Sequence, residues 1–280
     1  TVAVVWCWFF GAVFGLNFPW VTLPTLALGT WCVYVADRLL DGWRSNDTVA
    51  LRDRHWFYLR HRKPFLIAWA VAAVPLAYLI FFRTLPPVRT DDIVLCLIGV
   101  AYFLLIHGRS LQHGGTRLFP NWFPKELAVG FLFAIATAVP AWARLNADRN
   151  LLIAAVLTFG SACWLNCVAI QTWEDTEAAH EVMHTILSGR HPDAKMRPRG
   201  LTEFLGRHLT AFAILVGALG IGFTVVTTSS HLYPLFTSVA ISAALFLGLI
   251  WNSHRFSALT LRIAADAALL TPLIFLLRVH

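Results

Sequence analysis

Two aspartates with the spacing of a shared metal site, Asp37 and Asp41, stand at the end of a long apolar run. The run closes with the sequence Val-Ala-Asp-Arg-Leu-Leu-Asp-Gly-Trp over residues 35–43. Residues four apart lie on one face of a helix, so both carboxylates would point the same way. Paired carboxylate oxygens suit a hard divalent cation, and we therefore predict a Mg2+ site at this helix end. The alternative is a structural pair neutralised by Arg38 and Arg44.

A second polar group ends the sixth apolar run, where Trp-Leu-Asn-Cys-Val-Ala-Ile-Gln-Thr-Trp-Glu-Asp-Thr-Glu covers residues 164–177. Asn166 and Glu174 are about two helical turns apart and so lie on a similar face, and Gln171 and Asp175 form an i,i+4 pair. Carboxylates near a membrane interior are costly and indicate function. Two acidic groups with a basic rim would suit a Mg2+–diphosphate substrate. For Asn166 alone, the alternative is a satisfied amide in the core.

The elements that must position these groups are membrane helices, as the composition indicates. The 280 residues are 58% hydrophobic and 13% charged, with a mean hydropathy of +0.65, which is typical of a polytopic membrane protein. The net charge of +7 indicates topology and attraction to anionic headgroups or diphosphates, and we expect no nucleic-acid partner. The chain begins at Thr1 without an initiator methionine or a basic signal region, so we expect a missing or trimmed lead-in.

Nine apolar runs predict an all-α bundle that forms one domain over residues 1–280. The five cysteines lie within these runs and have the character of small buried hydrophobes, without a CxxC metal pattern. The predicted spans are about 2–16, 19–36, 64–82, 91–107, 124–142, 150–171, 204–227, 233–252 and 258–277.

The distribution of Lys and Arg predicts the orientation of the bundle. If the loop after the second span is cytoplasmic, that side carries 17 of these residues and the opposite side carries five. The sequence therefore predicts an integral protein of a bacterial inner membrane, with its site facing the cytoplasm. Three cytoplasmic loops form a predicted cap: 37–63, 107–124 and 172–203.

These motifs resemble those of the UbiA superfamily of intramembrane prenyltransferases. Asp37-Arg38-x-x-Asp41, on the second span, is similar to the latter half of the family's first aspartate-rich motif, N-D-x-x-D-R-x-x-D, with Val33 and Tyr34 in place of the upstream Asn-Asp. Residues 166–175 lie where the second aspartate-rich motif is found, after the sixth span. The resemblance covers the layout of the whole chain. A further similarity, to the family's loop and fifth span, is found at Tyr102 to Arg109, Lys125, Gly130 and Pro140.

The resemblance implies a Mg2+-dependent enzyme that ionises an isoprenyl diphosphate to an allylic cation and transfers it to an acceptor. Asp37 and Asp41 would hold one Mg2+, and the second would be held by Asn166, Glu174 and Asp175. The diphosphate would be bound by Arg38, Gln171, Arg109, Lys125 and Tyr102.

A dry, aromatic-lined cavity would stabilise the allylic cation and exclude water. Trp164 and Phe159 are candidates for its wall, although aromatic residues also fill ordinary membrane cores. Arg262 and Asp266 form an i,i+4 pair within the ninth span. They predict either a structural ion pair or a part of the cavity wall.

Other functions also fit parts of the sequence. A terpene cyclase on the same scaffold would need no acceptor. His-Glu-Val-Met-His at 180–184 matches the H-E-x-x-H zinc motif and would predict a membrane zinc peptidase, although no third ligand at a familiar spacing is evident. A non-catalytic lipid-binding protein would explain the bundle and the basic loops. The oligomeric state and the length of the isoprenyl chain do not follow from the sequence.

Overall fold

The computed structural model describes residues 1–44, 60–84, 86–107, 125–187, 200–228 and 231–276. All regular structure in these ranges is helical, and they contain no strand. A π-helical turn, Leu79–Arg83, continues α3, and a 3-10 turn, Ser253–Arg255, follows α9. The helices are α1 (Val2–Val13), α2 (Thr22–Arg44), α3 (Arg62–Tyr78), α4 (Pro86–His107), α5 (Lys125–Trp142), α6 (Arg149–Leu187), α7 (Gly200–Arg207), α8 (Leu209–Val226), α9 (Tyr233–Trp251), α10 (Ala258–Ala268) and α11 (Pro272–Leu276).

Five helical segments are long and apolar enough to cross a membrane, and α1 is a shorter apolar helix. The chain is therefore a helical membrane protein, while nine spans and a UbiA-like arrangement stay predictions. The five segments are Arg62–Arg83, Lys125–Trp142, Arg149–His180, Leu209–Val226 and Tyr233–Trp251.

The predicted seventh and ninth spans are each divided into two helices. The seventh is interrupted at His208, between α7 and α8. The ninth is interrupted by a turn at 269–271, between α10 and α11. Pro272 follows that turn, and it lacks the N–H that would bond to the carbonyl of Ala268 in a continuous helix.

The sixth predicted span continues well beyond residue 171. Helix α6 has 39 residues and ends at Leu187, so the first part of the predicted cap loop 172–203 is helical. In the same way, α2 continues to Arg44 and includes the start of the predicted loop 37–63. The predicted loop 107–124 lies outside the described residues except for His107, which ends α4.

The chain folds into two compact units. The first comprises residues 1–17, 121–192 and 196–280, and the second comprises residues 18–120 and 193–195. The prediction of one domain over residues 1–280 stays a prediction.

An aromatic cluster forms the core of the first unit. Trp6 and Phe159 stack with their ring centroids 3.9 Å apart, and both side chains are fully buried. Phe10 and Phe133 contact the Phe159 ring at 6.4 and 6.3 Å between centroids. The Trp6 indole Nε1 donates a 2.8 Å hydrogen bond to the carbonyl of Leu269, at the turn that divides the ninth predicted span.

Glycines bring neighbouring helices of this unit into close contact. A Cβ on Gly130 would lie 2.7 Å from the backbone nitrogen of Trp164, so α5 touches the α6 backbone directly. A Cβ on Gly220 would lie 2.8 Å from the nitrogen of Ala240, which places α8 against α9. Small residues at such crossings are characteristic of membrane helix pairs, in which close packing drives association.

The second unit is built on the pairing of α2 with α3. Trp69 donates a 3.0 Å hydrogen bond to the carbonyl of Cys32, and a Cβ on Gly29 would meet the Leu76 side chain at 4.0 Å. Arg83 lies over the ring of Trp20, with its guanidinium carbon 5.5 Å from the ring centroid.

Candidate functional site

The first predicted acidic pair lies on one continuous helix of the second unit. Helix α2 extends unbroken from Thr22 to Arg44, so Asp37 and Asp41 have the helical i,i+4 relationship that their spacing predicts. Asp37 is half-buried, and the side chain of Asp41 lies outside the described part of the structure. The Arg38 guanidinium lies over the Tyr34 ring, 5.0 Å from its centroid.

In the first unit, the second polar group faces a partner helix. The Asn166 amide nitrogen Nδ2 donates a 3.1 Å hydrogen bond to Asp266 Oδ1, which joins α6 to α10. Only the NH2 of this amide can donate to a carboxylate, so the bond fixes which amide atom faces Asp266. The other amide atom, Asn166 Oδ1, is buried and has no hydrogen-bond partner in the described structure.

Two further contacts continue along the same pair of helices. Arg262 Nη1 lies 3.9 Å from Glu174 Oε1, with 21% and 12% of the two side chains exposed, so bulk water screens this pair only weakly. The backbone N–H of Ala258 donates to Glu177 Oε1 at 3.3 Å, which places a carboxylate at the N-terminus of α10.

From the first contact to the third, the residue number rises along α6 and falls along α10, so the two helices run antiparallel. We call this row of side chains the polar seam. It consists of Asn166, Glu174, Glu177, Arg262 and Asp266.

Gln171 and Asp175 interact within α6. Gln171 Nε2 donates to Asp175 Oδ1 at 2.9 Å, and both side chains are half-buried. This bond is the i,i+4 contact that the sequence predicts, whereas the assigned roles in Mg2+ and diphosphate binding stay predictions.

The two aromatic residues predicted for a cavity wall have different surroundings. Phe159 is fully buried in the aromatic core against Trp6. Trp164 packs edge-to-face against Phe212, with ring centroids 4.8 Å apart, and its Nε1 is buried without a hydrogen-bond partner among the described residues. Their assignment to a substrate cavity stays a prediction.

Several other predicted residues are described only in part. Lys125 is exposed at the start of α5, whereas the side chain of Tyr102 and all of Arg109 lie outside the described residues. Helix α6 includes the 180–184 motif and exposes His180, while the side chains of its Glu181 and His184 are likewise outside that part. The proposed zinc site therefore stays a prediction.

The donor set of the polar seam suits Mg2+. The carboxylates of Glu174 and Asp266 and the amide oxygen of Asn166 are hard oxygen ligands. Asn166 Oδ1, which has no partner in the described ranges, is an acceptor that a cation would satisfy. Within the described ranges, no three His, Cys, Asp or Glu residues cluster as a metal site. Mg2+ takes only one or two protein carboxylates in many sites and completes its shell with water or phosphate oxygens, so the smaller set still fits.

Asp266 is exposed although it lies in a predicted membrane span. A carboxylate in a membrane-spanning segment faces a protein interior or a hydrated cavity, because contact with hydrocarbon is costly. The i,i+4 spacing of Arg262 and Asp266 identifies both residues from the sequence. It does not predict that their partners on α6 are Glu174 and Asn166.

Comparison with family models, with curated proteins and with solved structures finds no match to this chain. The class is therefore defined by the fold and the seam alone. The chain is a membrane protein whose described residues form only helices, with a row of hydrogen-bonded and ionisable groups between two helices of its first unit.

Proposed function

We propose that this protein is a Mg2+-dependent prenyltransferase of the UbiA kind, which uses an isoprenyl diphosphate as its donor. One observation carries the proposal: the polar seam keeps a buried amide oxygen at Asn166, next to the carboxylate of Asp266, that has no hydrogen-bond partner among the described residues. Leaving a buried acceptor unpaired costs about 1–3 kcal/mol, so its retention favours a role in binding.

The residues of the chain divide the work of binding the donor. Asn166 and Asp266 would hold Mg2+, which when bound neutralises charge on the diphosphate leaving group. Arg262 brings a guanidinium to the same row, and guanidinium groups match phosphate oxygens with paired N–H donors. On α2 of the second unit, Asp37, Asp41 and Arg38 are a separate candidate set for Mg2+ and diphosphate.

The apolar helices suit the other half of such a donor. An isoprenyl chain is a hydrocarbon, and the helices of the first unit offer an apolar surface long enough to cross a membrane. Aromatic rings such as that of Trp164 would stabilise an allylic cation and exclude water. We place the protein in a bacterial inner membrane with this site facing the cytoplasm, as the excess of Lys and Arg on that side favours.

A terpene cyclase is the second candidate, because no residue of the chain identifies an acceptor. Both reactions begin with loss of pyrophosphate and differ in what captures the cation. A zinc peptidase or a non-catalytic lipid-binding protein would release no pyrophosphate.

The test is a product assay on the protein in lipid nanodiscs with Mg2+ and geranyl, farnesyl or geranylgeranyl diphosphate. Pyrophosphate release that requires an added aromatic acceptor supports prenyl transfer. Release with a hydrocarbon or alcohol product and no acceptor supports cyclisation instead. No release from any donor, with donor binding unchanged by Asp37→Asn, would rule out both reactions.

The zinc alternative is tested on the same preparation by metal analysis. We expect no stoichiometric zinc. Zinc at one equivalent that is lost in His184→Ala would overturn the prenyltransferase assignment in favour of the peptidase.

A further inference from the structure

We infer that the first unit binds an anionic phospholipid in an apolar groove formed by α7 and α8. The lipid phosphate would contact Arg207 and His208 where the two helices meet, and one acyl chain would lie along α8. In the orientation that we propose, this lipid belongs to the cytoplasmic leaflet. The site is separate from the polar seam and does not depend on prenyl transfer.

Helix α7 has one face against the protein and an opposite face that is exposed. On the inner face, Thr202 Oγ1 donates a 2.8 Å hydrogen bond to Glu126 Oε2 on α5. A Cβ on Gly206 would lie 2.7 Å from Thr172 Oγ1 on α6, so α7 packs closely on both neighbours. On the outer face, the large apolar ring of Phe204 is exposed. Amphipathic helices of this kind lie at the boundary between lipid headgroups and acyl chains.

The groove begins beside α7 and continues along α8. Its first part has a volume of about 290 Å³ and includes His208, at the break between the two helices. The second part, of about 380 Å³, adjoins the first at Leu215, so the two parts form one continuous groove. The small side chains of Ala211 and Ala218 line it and leave it open.

The length of the groove suits an acyl chain. Helix α8 has 18 residues and is therefore about 27 Å long, close to the roughly 30 Å of hydrocarbon in a bilayer. One leaflet takes about half of that thickness, which corresponds to about ten residues of helix. A chain that starts at His208 would therefore end near Ala218, within the second part of the groove.

Side chains that can bind phosphate lie at the mouth of the groove. The exposed imidazole of His208 lines it and can donate an N–H bond to a phosphate oxygen. Arg207 is exposed at the end of α7, and guanidinium groups bind phosphate through two N–H donors. Arg207 is paired with Glu203, but an exposed pair of this kind contributes little to stability, so a phosphate can replace the carboxylate.

The charge of the adjoining sequence favours an anionic lipid as the occupant. Residues 189–208 contain five Lys or Arg and two acidic residues. Of these residues, 189–199 lie outside the described part of the structure and are not assigned to the site. Clusters of Lys and Arg on the cytoplasmic side of a membrane helix attract anionic headgroups. A second copy of this chain, inserted in the same orientation, would instead bring the same positive charge to this end of the groove.

The experiment titrates the delipidated full chain in detergent with phosphatidylglycerol or with phosphatidylcholine of the same acyl chains. Native mass spectrometry counts the bound lipids. We expect one phosphatidylglycerol to bind about tenfold more tightly than phosphatidylcholine, because only the former has a net negative charge.

Three charge variants test the headgroup contact. Arg207→Gln should weaken phosphatidylglycerol binding about fivefold. Glu203→Gln should bind at least as tightly as wild type, because it releases the Arg207 guanidinium from its ion pair. The matched control is Arg255→Gln, which changes an exposed Arg beside a His at the end of α9 and should bind as wild type.

A second pair of variants tests the position of the acyl chain. Ala211→Trp fills the groove and should weaken the binding of both lipids about fivefold or more. Ile221→Trp adds the same side chain to another exposed face of α8 and should leave both affinities unchanged. Both positions are exposed, so we expect both variants to fold.

Several results would overturn the inference. Equal affinity for the two lipids would do so, as would an Arg207→Gln variant that binds as tightly as Arg255→Gln, or an Ala211→Trp variant as tight as Ile221→Trp. Farnesyl diphosphate that displaces phosphatidylglycerol one for one would assign the groove to the isoprenyl donor. A protein dimer that excludes phosphatidylglycerol would assign the groove to a second copy of the chain.

Discussion

Individual side chains decide whether the polar groups inside this bundle are satisfied. Within the part of the chain that the structure describes, the Asn166 amide nitrogen is hydrogen-bonded and its oxygen is unpaired, whereas the backbone carbonyl of Leu269 accepts from the Trp6 indole. In an apolar interior each unpaired group carries a penalty, so these atoms contribute more to stability than similar atoms at a wet surface. The same penalty makes them useful binding positions.

The Trp6 hydrogen bond gives a prediction at this scale. Trp6→Phe keeps an aromatic ring against Phe159 but leaves the Leu269 carbonyl unpaired in a buried turn. We expect a loss of about 1–3 kcal/mol in the free energy of unfolding, measured as a lower melting temperature in detergent.

The matched control is two residues away on the same helix. Trp8 is 41% exposed, and Trp8→Phe should change stability by less than about 0.5 kcal/mol. Equal effects of the two substitutions would show that the indole hydrogen bond does not stabilise the turn.

The candidate residues follow from the sequence more readily than their partners do. Polar side chains in apolar runs are rare, so Asn166, Glu174 and Asp266 are found by inspection. The bond between Asn166 and Asp266 joins residues 100 positions apart. No local pattern encodes that distance, because it depends on how α6 and α10 pack.

At the scale of helices, close crossings at glycine hold the first unit together. Gly220 on α8 lies so near α9 that a Cβ would meet Ala240 N at 2.8 Å and Phe236 O at 3.0 Å. We expect Gly220→Ala to force the helices apart and to destabilise the protein by about 1–3 kcal/mol. Thermal unfolding monitored by circular dichroism in detergent measures this.

Gly222 is the natural comparison because it lies on the same helix. Beyond its own helix, no atom of the described residues lies within 4 Å of a Cβ built there, so Gly222→Ala should be neutral or stabilise by up to about 1 kcal/mol. If Gly220→Ala proved as harmless as Gly222→Ala, the close α8–α9 crossing would be wrong.

Helix ends are the part of the fold that hydropathy predicts poorly. The apolar run of the sixth span stops near residue 171, but α6 continues to Leu187. Hydropathy indicates where a helix leaves the hydrocarbon layer, not where the helix itself ends. The Glu, Ala and Met residues after residue 171 still favour a helix. At Pro272 hydropathy fails in the opposite direction: the apolar run 258–277 predicts one continuous helix, but the structure has a break before Pro272.

At the scale of the whole molecule, composition predicts helices because a backbone in lipid must satisfy its own hydrogen bonds. An all-helical membrane protein follows from the length and apolar character of the runs, and five segments meet that requirement. The number nine does not follow so directly, because a run such as 258–277 is divided into α10 and α11. A span count depends on how such divided helices sit in the bilayer.

The orientation gives a prediction at this scale. We expect Thr228→Cys to react with a membrane-impermeant maleimide in intact cells, and His254→Cys to react only after lysis. Both positions are exposed, and α9 lies between them. A Cys96→Ala background removes the exposed native cysteine. Labelling with the opposite pattern would place the long loops outside the cell.

The most direct test of the central claim is the rate of pyrophosphate release in nanodiscs as Mg2+ is titrated. Wild type and the control variant Glu203→Gln, which changes an exposed carboxylate paired with Arg207 outside the seam, should release pyrophosphate at similar rates, and only with Mg2+. Asp37→Asn and Asn166→Leu should be slower by about 100-fold, because the first removes the negative charge of a proposed carboxylate ligand and the second removes a proposed amide-oxygen ligand. Release that is independent of Mg2+, or equally fast in all four proteins, would contradict a metal–diphosphate site at these residues.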